Sequence, residues 1–296
     1  MEFANLIFNG VALGAAYALV ALGFVLVLNA TAAVNFAQGD LVMAGGFVAV
    51  ALAGMLGPSL GDAVPGLVLL PLVVIVSALF GLLFAACAYF PFRRKPPVSV
   101  FISTIAVGLI LQSVANSVFG GAPRTAPPLF AGENLHLAGL TLSRQSLAIV
   151  VVAALLIFLL HVLVERTQLG RKLRASAQDA GMARAIGIDV ALMVALSFAL
   201  GVALAGAAGL LLTNQYFVTP TSGINLMVKA YIAVTIGGWG SLRGAVIGAL
   251  AIALFEVLVG AFTSAAAAEA LLYGALLVVL LFRPQGLFGE AAGRRA

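Results

Sequence analysis

Two charged side chains stand inside apolar sequence in neighbouring stretches: Lys229 in "INLMVKAYIAV" and Glu256 in "AIALFEVLVGA". In a hydrocarbon setting either one alone costs roughly 2.5–3.5 kcal/mol on the insertion scale. Each must therefore meet a partner, face a wet cavity or reach an interface. Lys229 is only a few residues into its stretch, so reaching the interface serves it as well as function does. Glu256 is mid-stretch and has no such escape. The sequence leaves open whether the two pair. A second concentration of polar groups is "LNATAAVNFAQGDLVMAGG", 28 to 46, which brings together Asn29, Thr31, Asn35, Gln38 and Asp40. Gly39 suits a turn, and Asp40 is placed to cap a helix starting at Leu41 by accepting its free N–H groups. One reading is an ordinary polar connection with a helix cap. The other is a broken helix whose exposed backbone lines a water-filled path, since irregular backbone survives at membrane depth only inside protein or beside such a cavity.

No catalytic constellation accompanies these groups. The sequence contains no H-E-x-x-H, G-x-S-x-G or EF-hand pattern, and His136 and His161 stand alone. "TIGGWGSLRGAVIGA", 235 to 249, is glycine-rich, but no Lys follows as a phosphate-binding loop requires, and position 243 is Arg where a dinucleotide fingerprint needs Gly. It reads as a tight turn between two apolar stretches, so the chain has no nucleotide site and binds no cofactor of its own. A single cysteine, Cys87, removes disulfides and thiolate metal sites, and no metal site is expected.

The elements that must hold these residues are membrane helices. The 296 residues are 63% hydrophobic and 8% charged, with mean hydropathy +1.19, against about 25% charged in a soluble domain. The apolar runs approach the ~20 residues that cross ~30 Å of hydrocarbon. They are too long and too rich in Leu and Ala for the ~10-residue alternating strands of a barrel. The fold class is therefore all-α, a polytopic transmembrane helical bundle forming one domain over 1–296. Spans are expected near 3–28, 41–56, 67–90, 101–120, 147–164, 190–212, 226–240, 244–264 and 267–282. Several are short or broken, so the count is eight or nine. The first run has no basic segment before it and no clear cleavage signal, and reads as a retained span.

Charge orients the spans. Segment 91–97 carries Arg93, Arg94 and Lys95, segment 165–189 carries five Lys/Arg, and the tail carries Arg283, Arg294 and Arg295. Segment 57–66 has none, and 121–146 has Arg124 and Arg144. The positive-inside rule puts the first group in the cytoplasm and the second outside. The N-terminus is then external and the C-terminus cytoplasmic. The net charge of +5 reports this topology rather than nucleic-acid binding. Small residues at every fourth position (Gly10, Gly14, Ala18; Gly201, Ala205, Gly209; Gly244, Gly248) are expected to let helix backbones approach closely.

The stretch "ERTQLGRKLRASAQDAGMARAIGIDVAL", 165 to 192, turns polar yet suits a helix from Arg174 to Ile188, with Gly187 as its stop. At ~100° per residue, Ala175, Met182 and Ile186 share one stripe flanked by Gln178 and Asp179, with Arg174 and Arg184 towards the other side. Such a helix either rests on lipid with its arginines towards anionic headgroups or lays its stripe into a groove on a cytoplasmic partner. One Met, one Ile and small alanines grip lipid poorly, which favours docking.

At this point the chain resembles a known family. "RASAQDAGMARAIGIDVALMVALSFALGVALAGAAGLLL" is similar to the coupling-loop region of the branched-chain amino acid ABC permeases of the LivH type. "NGVALGAAYALVALGFVLV" resembles that family's first span and "VNFAQGDLVMAGGF" its N-F-A-H-G-[DE] signature, while "GGWGSLRGAVIGA" and "LLFRPQGLFG" resemble its later motifs. In order, these cover nearly the whole chain. The resemblance implies a permease subunit of an ATP-driven importer in the bacterial inner membrane, moving a small polar solute, foremost branched-chain amino acids. It implies a second permease subunit (a paralogue or another copy), two cytoplasmic ABC ATPase subunits that carry ATP and Mg, and an external substrate-binding protein. The helix at 174–187 would couple to the ATPase through Arg174, Gln178, Asp179, Met182, Ala183, Ile186 and Gly187. Asn35, Gln38, Asp40, Lys229 and Glu256 would line the path. Where the family has His, this chain has Gln38, which has no titratable group near neutral pH, so a proton-linked role at that position is not expected here. An ion-coupled secondary transporter, using Asp40 and Glu256, is the alternative; a channel and an intramembrane enzyme rank lower.

Overall fold

The computed structural model describes residues 2–60, 65–130, 135–137, 140–283 and 285–288. Among them are eleven α-helices: α1 (Glu2–Thr31), α2 (Gln38–Leu60), α3 (Gly66–Phe84, continued by a π-helical turn Ala85–Tyr89), α4 (Pro97–Phe119), α5 (Arg144–Arg166), α6 (Gln168–Gln178), α7 (Ala180–Ala185), α8 (Val190–Gln215), α9 (Ser222–Gly237), α10 (Leu242–Phe262) and α11 (Ala265–Phe282). One small antiparallel hairpin, β1 (Leu135–Leu137) with β2 (Leu140–Leu142), precedes α5. Eight of the helices are long and apolar enough to span a membrane, and α9 is apolar but shorter. At 1.5 Å per residue its 16 residues reach about 24 Å, short of ~30 Å of hydrocarbon. The expected counts of eight and nine are thus both visible: eight full spans and one part-length helix.

The bundle is arranged around α1, nearly all of whose central apolar residues are buried, packed chiefly on α10 and α8. The rows of small residues make this possible. A Cβ on Gly14 would lie 2.9 Å from the Leu250 backbone, and one on Gly201 would lie 2.8 Å from the Gly23 carbonyl. Gly209 touches the backbone of α2 and Gly248 that of α9 in the same way. At the periphery, few residues of α11 and α4 are buried; in α11 the buried ones are Ala268 and Leu272. Their outward leucines, valines and phenylalanines (Leu281, Phe282, Val114, Val118) suit contact with lipid tails or another membrane chain.

Two opposite ends of the bundle can be recognised from the connections. At one, Gly66 donates to the Pro128 carbonyl, Asn214 to the Ala126 carbonyl, and Ser146 to Asn9 Oδ1, while Arg124 and Val218 exchange backbone hydrogen bonds. This gathers the starts of α1, α3 and α5 with the end of α8. At the other, Asn29 Nδ2 donates to the Gly240 carbonyl and the backbone N–H groups of Leu287 and Phe288 donate to Ile236 and Gly237. This gathers the end of α1, the α9–α10 turn and the C-terminal segment. The glycine-rich stretch makes the expected tight turn: Gly238 and Gly240 have φ of +114° and +81°, Ser241 caps α10 through the Gly244 N–H, and Gly237 and Gly244 sit backbone to backbone. Of the basic tail, Arg294 and Arg295 lie outside the described residues.

Candidate functional site

Lys229 and Glu256 do meet. Lys229 Nζ donates to Glu256 Oε1 at 2.5 Å and to the Tyr17 hydroxyl at 3.0 Å, and that hydroxyl donates in turn to Glu256 Oε2 at 3.3 Å. Three helices supply the triad: α1, α9 and α10. The side chains of Lys229 and Glu256 are only 15% and 24% exposed, so each charge is largely removed from water and neutralised by the other. Tyr17 was not singled out from the sequence, where one tyrosine in an apolar run is unremarked. Its signal was its place three residues after Gly14, on the helix face that meets α10.

The triad forms part of the lining of a cavity of about 290 Å³ that reaches up to the α8–α9 connection at Tyr216, Phe217 and Val218. Ser222, Asn225, Leu226 and Lys229 form the α9 wall of this cavity. The opposite stripe of the same helix, Ile224, Met227, Val228 and Tyr231, lines a second cavity of about 490 Å³, to which Asp40 and Gln112 add polar groups. The spacing of three to four residues within each set is the repeat of a helix face. The short α9 is therefore a partition with a cavity on either side.

Asp40 holds the start of this partition. Its carboxylate accepts from Gln112 Nε2 of α4 at 2.9 Å. Gly223, in the first turn of α9, lies so close that a Cβ there would be 2.9 Å from the backbone N and Cα of Asp40 and would strike its Oδ1. A Cβ on Gly108 of α4 would meet Oδ2. Asp40 was expected to cap a helix beginning at Leu41. Instead α2 begins at Gln38, the Leu41 N–H is already bonded to the Ala37 carbonyl at 2.9 Å, and the carboxylate turns to α4. Asn35 holds the turn that leads into α2, its Oδ1 accepting from the Ala37 N–H at 3.1 Å and its carbonyl from the Gln38 N–H at 3.3 Å. Gly39 is no turn either: it is helical and lies against the Gly223 carbonyl and Met227, where α2 and α9 cross.

Asn35 and Gln38 are 3% and 0% exposed and line neither cavity. Asn35 Nδ2 donates to Gln38 Oε1 at 3.3 Å, and Gln38 Nε2 donates to the Gly201 carbonyl at 3.4 Å, near the middle of α8. The start of α2 is thus anchored deep in the bundle rather than at its end. Of the five residues expected along a path, Asp40, Lys229 and Glu256 border cavities, while Asn35 and Gln38 fasten the helix start behind them.

The polar stretch after α5 is helical but not one helix. The helix expected from Arg174 to Ile188 is divided at Asp179, whose backbone is extended (φ −150°, ψ 102°). Its side chain caps α7, accepting from the Gly181 and Met182 N–H groups at 2.8 and 2.9 Å. An aspartate that can bond the backbone two and three residues on competes with helix continuation, and a single 100° periodicity misses that break. Ala175 therefore belongs to α6 and shares no stripe with Met182 and Ile186. Those two remain neighbours and are 63% and 68% exposed; Gln178 is exposed beside them. Gly187 ends the turn at φ +84°. Ala183 is 2% exposed and faces the bundle, and Arg174 is tied to Glu165 of α5. Neither belongs to the outward patch. Among the described residues no cluster of three or more His, Cys, Asp or Glu could hold a metal.

Comparison with known proteins agrees with this architecture. The chain is 32% identical to the high-affinity branched-chain amino acid transport system permease protein BraD of Pseudomonas aeruginosa, covering 95% of this chain and 94% of that one. It is 32% identical to the corresponding permease protein LivH of Escherichia coli K12, over 98% and 96% of the two chains. A probable branched-chain amino acid transport permease protein LivH of Methanocaldococcus jannaschii is 29% identical over 92% and 88%. No solved structure gives a significant match. The model of the permease component of branched-chain amino acid transport systems matches residues 6–281. With eight helices able to span the bilayer and near full-length similarity to these permeases, the chain belongs to that family of multi-pass membrane transport components.

Proposed function

We propose that this chain forms half of the membrane path of an ATP-driven importer for a small polar solute, with branched-chain amino acids as cargo. The observation that carries the reading is the part-length α9, a helix with a cavity on each side and an ion-paired lysine on one of them. Such a helix can exchange access between two sides by a modest tilt, pivoting on the glycine-rich turn at one end and the Asp40–Gly223 contact at the other. In this reading the end holding the α9–α10 turn is cytoplasmic and the end holding the N-terminus of α1 is external, an orientation supported by the bias of the basic segments.

In this reading ATP and Mg are carried by two cytoplasmic ATPase subunits. A second permease subunit completes the path, and an external binding protein delivers the solute. The outward patch of Gln178, Met182 and Ile186 is the docking point for an ATPase. Asp179 shapes it as the cap of α7, and Gly187 ends it.

The test is a pull-down of tagged chain from membranes, paired with uptake of labelled leucine. In the variant Met182→Glu/Ile186→Glu, the ATPase should be lost from the pull-down and uptake should fall at least tenfold, while membrane insertion and thermal stability stay unchanged. The charged triad also fits an ion-coupled secondary transporter. That alternative takes first place if no ATPase accompanies the wild type and the variant still transports.

A further inference from the structure

We propose that the Tyr17–Lys229–Glu256 triad and the cavity above it are a binding site, within the permease itself, for the main-chain zwitterion of an amino acid. The inference rests on the importer reading and adds a site to it. Three observations support it. First, both charges border the cavity, so the pair presents a plus and a minus side by side to whatever occupies it. Second, the pair has hydrogen-bonding capacity left over. A lysine ammonium has three donors, and only two are engaged, by Glu256 and Tyr17. Each glutamate oxygen accepts one bond in the triad and has room for another. Third, the rest of the wall carries no charge: it is mainly apolar (Leu13, Val42, Leu212 and Leu226), with neutral polar groups such as Ser222 and Asn225 among them.

An amino acid meets all three features at once. Its carboxylate takes the free donor of Lys229, its ammonium takes the open lone pairs of Glu256, and its aliphatic side chain lies on the apolar wall. The four charges then alternate in sign, so the solute enters a low-dielectric region without leaving any charge unpaired. A neutral amide gains no ionic contact there. A solute with only one charge pairs with one member of the triad and is repelled by the other. The site thus selects the zwitterion, and its loose apolar wall accepts side chains of similar size.

The test uses the purified importer complex in nanodiscs without its binding protein, with saturation-transfer NMR reading weak ligands. The panel is leucine, N-acetylleucine (no ammonium) and leucinamide (no carboxylate). Leucine should bind, and each analogue should bind at least tenfold more weakly, the loss of one charge-assisted contact. Equal binding of leucine and N-acetylleucine, or no leucine signal, overturns the proposal. The exchange Lys229→Glu/Glu256→Lys keeps an ion pair but reverses its polarity relative to the apolar wall. If this variant assembles and still imports leucine at the wild-type rate, the triad is only a brace and the proposal falls. Assembly with uptake at least tenfold lower supports it. Should the exchange fail to assemble, the wild-type panel decides. Stimulation of ATP hydrolysis by the loaded binding protein, measured on the wild type, tests the importer reading separately. Its absence removes that reading whatever the panel shows.

Discussion

Among the described residues, two pairs of a lysine or arginine with a glutamate invite comparison. Lys229–Glu256 lies within the bundle, with side chains 15% and 24% exposed, and takes in a tyrosine from a third helix. Arg174–Glu165 lies outside it, with both side chains 40% exposed, and ties α6 back to the end of α5. The chemistry is nearly the same, but the surroundings set different consequences. In the bundle neither charge can be left alone, so the pair constrains α1, α9 and α10 jointly. At the surface water can replace either partner, so the pair only biases how α6 leaves α5.

Breaking the inner pair on one side should give the largest effect. Glu256→Ala leaves the Lys229 ammonium at the edge of a mainly apolar cavity, with the Tyr17 hydroxyl as its remaining partner in the triad. Removing one partner of a buried pair costs about 3–5 kcal/mol, and the residual exposure here points to the lower end. The measurement is the unfolding midpoint of the chain in nanodiscs, which should fall by several degrees. Lys229→Leu/Glu256→Leu, which removes both charges, should recover most of that loss. If the double variant is as unstable as the single one, the inner pair is not the charge-balanced unit described above.

A smaller loss is expected where the partition begins. Gly223→Ala puts a methyl group against the Asp40 backbone and carboxylate. Overpacking of this kind costs about 1–3 kcal/mol, and it must push the start of α9 away from α2. Stability and leucine uptake should therefore fall together. Gly54→Ala is the control, since nothing lies within 4 Å of a Cβ there. If the two substitutions behave alike, the close crossing is not required.

These two effects differ in how far the sequence foretold them. The Lys229 and Glu256 charges were legible because apolar runs make any charge conspicuous. Their pairing was not, because it depends on how α9 and α10 fold back about the glycine-rich turn. Span positions and the rows of small residues were legible from periodicity and composition. The roles within 28–46 were distributed differently from the sequence expectation. Asp40 looked like a cap by position, but α2 starts three residues before Leu41 and its carboxylate is drawn to Gln112, 72 residues away. Nothing local in either residue marks that contact. Gln38 stood out as a polar group in the same stretch, but its bonds to Asn35 and to the Gly201 carbonyl, 163 residues away, were not legible.

The outer region gives the weaker predictions, beginning with its cap. Asp179→Ala removes the acceptor for two N–H groups at the start of α7, and loss of such a cap costs about 0.5–2 kcal/mol. The helix is short and exposed, so the cost falls locally. Amide exchange at Gly181 and Met182 should quicken several-fold while the global unfolding midpoint stays put, and Asp179→Asn, which keeps an acceptor oxygen, should restore protection. A shift of the global midpoint would mean that this segment is integrated with the bundle more tightly than its exposed patch implies.

The smallest effect belongs to the outer pair. Exposed ion pairs contribute about 0–1 kcal/mol and weaken as salt rises, so Arg174→Ala should change stability by less than about 1 kcal/mol. Raising the salt concentration should erase even that difference, whereas the inner pair, screened from ions by the surrounding helices, should respond little to the same change. The salt titration is therefore the direct comparison of the two sites. If the Arg174→Ala penalty instead persists at high salt, α6 is held by packing of the arginine stem against α5 rather than by its charge. The distinction between a pair that fixes three helices and one that merely guides a connection would then have to rest on burial of the side chains, not on electrostatics.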